Sequence, residues 1–86
     1  MPDDIAEFEN NTDKRINLHI DWDNGAASFN TTIQPGETVQ VTGFNGRTGT
    51  ICHRSDGGSY TNCPAGSPVG KPGDYFILEE DGGFQS

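Results

Sequence analysis

Hydrophobic and polar residues alternate most cleanly between Arg15 and Asp23. Ile16, Leu18, Ile20 and Trp22 fall on one parity, and Arg15, Asn17, His19, Asp21 and Asp23 on the other. A period of two predicts a strand buried on one face. Asn24-Gly25 follows, a dipeptide that accepts positive φ at both positions of a tight hairpin turn. The return run to Ile33 alternates again, with Ala27, Phe29, Thr31 and Ile33 on the inner parity. Gln34-Pro35-Gly36-Glu37 carries Pro and Gly at the central positions of a type II turn. Beyond it, Thr38 to Phe44 predicts a strand with Val39 and Val41 inward and Phe44 on the opposite parity. Asn45-Gly46-Arg47 reads as a second hairpin turn, leading into Thr48 to Arg54. Asp56-Gly57-Gly58 reads as a third, before Ser59 to Cys63.

The two ends are less regular. Residues 3–9 fit either a helical turn capped by Asp3 or Asp4, with Ile5 and Phe8 on one face, or an extended arm lying on a sheet. Three prolines and three glycines between Pro64 and Gly73 make that segment a loop rather than a central strand. Asp74 to Leu78 is the last predicted strand, and Phe84 is placed to anchor the tail behind Glu79-Glu80-Asp81. About six short strands at roughly ten-residue spacing predict an all-β fold, a small antiparallel β-sandwich or open barrel.

Length and composition set the stability problem. At 86 residues the chain fits one domain (1–86) with an acidic N-terminal arm and an acidic C-terminal tail. Only sixteen residues are Ile, Leu, Val or Phe, so the core is small and needs reinforcement. Cys52 and Cys63 provide it. They lie equally far from the Gly57–Gly58 junction, so a hairpin centred there sets them opposite each other, within disulfide range. Closing that loop stabilises the fold by roughly 2–3 kcal/mol. The first residues carry no signal-peptide pattern, so either the chain is used in the cytoplasm or Met1 replaces a leader; the cysteines favour the second, and a secreted or otherwise extracytoplasmic protein is expected.

Thirteen acidic residues against five Lys and Arg give a net charge of −8. That balance excludes direct phosphate-backbone binding, which depends on basic side chains displacing counterions. No apolar run approaches the ~18 residues of a membrane span. His19, Asp21 and Asp23 share a strand face and could bind a divalent cation, but the row alone offers too few ligands for calcium, and the solvent face of an amphipathic strand is the favoured reading. The acidic segments at 3–9 and 79–81 are expected to stay apart. Cys52 and His53 are strand neighbours facing opposite ways and so form no dyad, and no strained Gly-x-Ser-x-Gly elbow is present. The chain is therefore expected to be no enzyme and to need no cofactor.

Aromatic and arginine residues near the turns make the most specific surface. Phe44, Arg47, Arg54 and Tyr60, gathered at one end, would form a patch of the kind enriched at binding hot spots. The expectation is a recognition domain that binds a protein or carbohydrate through hairpin tips and the 52–63 loop. Three other readings accompany it. Cys52-His53-Arg54-Ser55 resembles, over four residues, the reactive loop of Bowman–Birk-type serine protease inhibitors, which implies an inhibitor presenting Arg54-Ser55; that family's Pro-containing turn is missing and this loop is longer. The acidic segments allow a calcium-binding or structural β module. The charge alone allows an acidic decoy of a basic nucleic-acid-binding surface.

Overall fold

The computed structural model describes residues 4–85, for Asp81 the backbone alone. Seven strands are present: β1 (Ala6–Asn10), β2 (Ile16–Trp22), β3 (Phe29–Ile33), β4 (Thr38–Val41), β5 (Gly49–Arg54), β6 (Val69–Gly70) and β7 (Tyr75–Leu78). A 3-10 turn, Glu80–Gly82, follows. They form a three-stranded sheet, β4-β1-β7, and a four-stranded sheet, β3-β2-β5-β6. Ala6, Phe8, Val41 and Leu78 from the first meet Ile16, Leu18, Ile20, Trp22, Ile33 and Ile51 from the second in one core. The fold is thus all-β, with two layers and one disulfide. No helix among the described residues is long and apolar enough to cross a membrane.

The β2–β3 hairpin has the register its alternation implies, Ile16 opposite Ile33 through Ile20 opposite Phe29, centred on Asn24–Gly25. Its turn is looser than expected. Only Gly25 takes a positive φ (82°), and pairing ends at Phe29. Asn45-Gly46 does adopt positive φ at both positions, 42° and 77°, and the Phe44 carbonyl accepts a bond from Arg47 N–H at 2.6 Å. That turn makes no hairpin, however. It carries the chain from β4 in one sheet to β5 in the other, because β4 pairs with β1 and β5 with β2.

Three further expectations are corrected. The N-terminal segment takes the extended alternative rather than the helical turn, and it is built into a sheet rather than lying on one; the proposed Asp3 cap lies outside the described residues. β1 is the central strand of its sheet, antiparallel to β4 and parallel to β7, so one strand pair departs from the antiparallel pattern. Its inward residues are Ala6, Phe8 and Asn10, a period of two that ends on a polar side chain. Asn10 is fully buried and fully bonded. Its amide donates to the carbonyls of Lys14 (2.7 Å) and Ile33 (2.9 Å), and its Oδ1 accepts from Thr12 N–H (3.0 Å) and Thr12 Oγ1 (2.7 Å).

Second, no hairpin forms around Gly57–Gly58. The strand that returns along β5 is β6, which sets Gly70 opposite Gly49 and Val69 opposite Thr50. The prolines do confine Val69–Gly70 to an edge position, as the ring's missing N–H requires. Third, Phe44 is fully buried. Gly43, at φ 106°, breaks the strand alternation just before it and turns the ring inward, against Trp22 at 4.9 Å and 83°.

Two close contacts generate a test. A Cβ at Gly49 would lie 2.7 Å from Ile20 Cγ2 and 3.1 Å from the Trp22 ring. Gly49→Ala should therefore lower unfolding stability by about 1–3 kcal/mol. Asn10→Ala, which leaves the buried Ile33 carbonyl and the part-buried Lys14 carbonyl without their amide donor, should cost about 1–3 kcal/mol. Urea denaturation of each variant checks both; no loss in either would contradict the packing described.

Candidate functional site

The outer face of β2 and β5 is where the structure departs furthest from a solvated polar face. His19 and Cys52 are direct cross-strand partners on that face, and Asp21 lies two residues along from His19. Cys63 reaches them from the loop. The Cys52–Cys63 disulfide forms with Cα atoms 5.6 Å apart, though without the flanking ladder expected from the sequence. Instead of continuing the sheet edge, the 55–68 loop folds over the sheet face and pins itself there. Cys63 N–H donates to Asp21 Oδ2 at 2.8 Å, and Asn17 Nδ2 donates to the Gly58 carbonyl at 2.7 Å.

His19 is consequently buried, at 1% exposure. Its Nε2 lies in hydrogen-bond contact with Asp21 Oδ1 (2.7 Å) and its Nδ1 with Asn30 Oδ1 (2.8 Å). Burial alone would raise the Asp21 carboxyl; the Cys63 N–H bond and His19 outweigh it and hold that carboxyl below the ordinary aspartate range. Asp23, the third member of the row, belongs elsewhere and accepts bonds from the hydroxyls of Thr48 and Thr50. Among the described residues, one group of three metal-ligating side chains brings its atoms within 4.8 Å of one another: His19, Asp21 and Cys63. While Cys63 is in a disulfide, its sulfur is no thiolate ligand.

The loop also builds a cleft. β6 covers only the first residues of the β5 edge, leaving the stretch at His53 and Arg54 open between the loop and the C-terminal 3-10 turn. The cleft, about 420 Å³, is lined by His53, Arg54, Ser55, Asp56, Tyr60 and Gly82. A second hollow of about 240 Å³ shares His53, Tyr60 and Gly82 and runs on beneath Pro64 to Pro68. Within the cleft Arg54 is clamped to Asp56 by two bonds, Nη2 to Oδ2 at 2.5 Å and Nε to Oδ1 at 3.1 Å. The bond from Arg54, aided by Gly58 N–H, holds the Asp56 carboxyl low. The guanidinium lies 5.5 Å from the centre of the Tyr60 ring.

His53 faces inward beside Leu18, its cross-strand partner, and is 1% exposed. Its Nε2 donates to the Gly83 carbonyl at 2.8 Å, and its ring meets Phe84 edge-on at 4.9 Å. Phe84 also packs on Phe76 and bridges to Leu78, so the tail is anchored as expected. The His53 Nδ1 is buried without a hydrogen-bond partner.

The four residues singled out from the sequence thus divide into two pairs. Arg54 and Tyr60 share the cleft. Phe44 and Arg47 sit beyond the other end of β5, whose length is roughly 17 Å at about 3.3 Å per residue. Arg47 stacks 3.9 Å from the Trp22 ring centre while its Nε donates to the Gly43 carbonyl at 2.7 Å. Asp56 and His53 are the cleft residues that sequence reasoning passed over; the Arg54-x-Asp56 spacing was the available signal.

The acidic segments do meet. Parallel pairing of β1 with β7 brings Glu9, Glu79 and Glu80 to one open hollow of about 630 Å³ with Asn11 and Asp13. Asn11 Nδ2 bonds Glu79 at 3.0 Å, and Tyr75 donates its hydroxyl to Glu9 at 2.6 Å. Among the described residues no three carboxylates bring oxygens within 4.8 Å of one another there.

Burial pushes the His53 pKa below the ordinary 6.5, with the Gly83 bond working against it. The folded protein therefore takes up this proton less readily than the unfolded chain. Its contribution to stability is present above about pH 6.5 and is lost as pH falls through that range toward the lower folded value. Urea titrations at pH 7.5 and 5.5 should show a larger loss on acidification in the native protein than in His53→Gln. Equal losses would contradict the burial of a neutral His53. No family model matches the chain, and no match emerges among curated proteins or solved structures.

Proposed function

We propose that this protein is a non-enzymatic recognition module that holds a hydroxyl-rich ligand, a carbohydrate, in the cleft between the disulfide loop and the C-terminal 3-10 turn. The observation that carries this reading is the Arg54–Asp56 pair locked beside the Tyr60 ring. Such a pair presents guanidinium N–H donors and carboxylate lone pairs in a fixed plane, which suits the paired hydroxyls of a sugar. An adjacent aromatic face takes the apolar C–H side of the same ring. Prior clamping of Arg54 and covalent closure of the loop reduce the ordering cost of binding. The cleft's volume lies within the range of small-ligand sites, about 300–1,000 Å³.

The disulfide is compatible with an extracytoplasmic setting. The burial of the cleft's imidazole supports the non-enzymatic part of the proposal: His53 Nε2 is bonded to the Gly83 carbonyl, and its unpartnered Nδ1 is covered.

A glycan array screened with the intact oxidised protein, followed by calorimetric titration of the best glycan, tests the proposal. Tyr60→Ala and Arg54→Gln should each weaken that glycan at least tenfold, about 1.4 kcal/mol, while leaving the melting temperature near that of the native protein. An empty array, or binding that both substitutions leave unchanged, would end the carbohydrate reading.

A further inference from the structure

A second, chemically different site lies under the loop, on the outer face of β2 and β5. We propose that reduction of the Cys52–Cys63 disulfide converts the clasp into a tetrahedral site for a thiophilic divalent cation of the zinc class, held by the sulfurs of Cys52 and Cys63, Nε2 of His19 and the Asp21 carboxylate. Three of these four ligands stand on one rigid strand pair, with His19 and Cys52 directly opposed and Asp21 on the same face. The fourth, Cys63, is on the loop, and its sulfur already lies within 4.8 Å of the His19 and Asp21 ligand atoms. Tetrahedral zinc with bonds of about 2.0–2.3 Å sets its ligand atoms about 3.3–3.8 Å apart. Once the sulfur–sulfur bond is gone, rotation of the Cys52 side chain and a small movement of the loop residue bring the two sulfurs to the cation.

The surroundings of His19 provide an independent sign. Zinc-bound histidines commonly give their other ring N–H to an oxygen acceptor, which fixes the ring and leaves one nitrogen for the metal. His19 already has that arrangement, with Nδ1 donating to Asn30 Oδ1 at 2.8 Å and Nε2 turned toward Asp21. The Asp21 carboxylate is bonded at Oδ2 by Cys63 N–H, and its second oxygen meets the histidine. Cys52 is 4% exposed and His19 1%, whereas the Asp21 side chain is 31% exposed, which gives the cation a way in from the carboxylate side.

The chemistry balances with a dithiol or phosphine reductant. Two electrons and two protons break the disulfide into two thiols while the reductant is oxidised. The cation then displaces both thiol protons to solvent and takes the Nε2 lone pair of the Nδ1–H tautomer. The oxidised clasp and the metal-bound clasp thus hold the loop in the same place by different bonds.

The test uses the full chain, reduced with a phosphine and desalted without oxygen, then titrated with cobalt(II) alone. One equivalent should produce the visible bands of tetrahedral cobalt together with thiolate-to-cobalt charge transfer, and zinc should bleach both. The oxidised chain should produce neither. Asp21→Asn and His19→Gln should each weaken cobalt at least tenfold. In zinc-loaded native protein, long-range proton–nitrogen spectra should show His19 Nε2 shifted on metal binding and His53 unmoved, a readout that needs no variant. The proposal is overturned if the reduced chain shows no equimolar end point, if the oxidised chain binds equally, if the two substitutions leave affinity unchanged, or if His19 is unperturbed.

Discussion

The contact on which the rest of the structure depends is the seating of Cys63 on β2. One N–H bond to Asp21, one disulfide to Cys52 and the His19–Asp21 pair beneath them fasten a fourteen-residue loop across a sheet face. Remove that seating and β2 and β5 keep a buried apolar face but expose His19 and Cys52 on the other. The cleft at Arg54 and Tyr60 loses one of its walls as well. For a chain with so few aliphatic residues and a charge of −8, covering the second face of its central strand adds buried area that the core alone cannot supply.

This arrangement also explains why polar residues sit where burial is deepest. Asn10, His19 and His53 are all within 1% of complete burial, and each joins two separate elements. Asn10 joins the end of β1 to β3 of the other sheet, His19 joins β2 to β3, and His53 joins β5 to the C-terminal turn. Their hydrogen bonds demand specific partners, so they fix registers that a small apolar core leaves loosely determined. His53 does this with one nitrogen unsatisfied, and the C-terminal segment is therefore the less securely held of the three junctions.

Much of the fold was legible in the sequence because it rests on local rules. The alternation through Ile16 to Trp22 and the Asn24–Gly25 centre follow from side-chain period and turn chemistry; the two cysteines pair as expected, but without the Gly57–Gly58 hairpin that their spacing implies. The rest depends on which surface a segment meets. Ile5 and Phe8 satisfy a helical spacing as well as Ala6, Phe8 and Asn10 satisfy a strand, and only the partners β4 and β7 decide between them. Asn45–Gly46 has hairpin chemistry, yet no local signal says that its two flanks enter different sheets. Half of the expected surface shared this difficulty. Arg54 and Tyr60 converge, but Gly43 redirects Phe44 into the core and Arg47 onto Trp22. The burial of His19 was illegible for a related reason, since a polar strand face looks the same whether water or a loop covers it.

Cleft and clasp share the loop, so one event acts on both: whatever loosens Cys63 alters the wall that Tyr60 provides. The most direct test of that seating is hydrogen exchange at the Cys63 amide in the oxidised protein. Strong protection there, of the order seen for β2 and β5 and lost on reduction while β1 and β7 stay protected, is the result expected of a loop bonded to Asp21. Exchange at the rate of a free loop in the oxidised protein would show that Cys63 is merely tethered by its sulfur, and the account of both sites would fail with it.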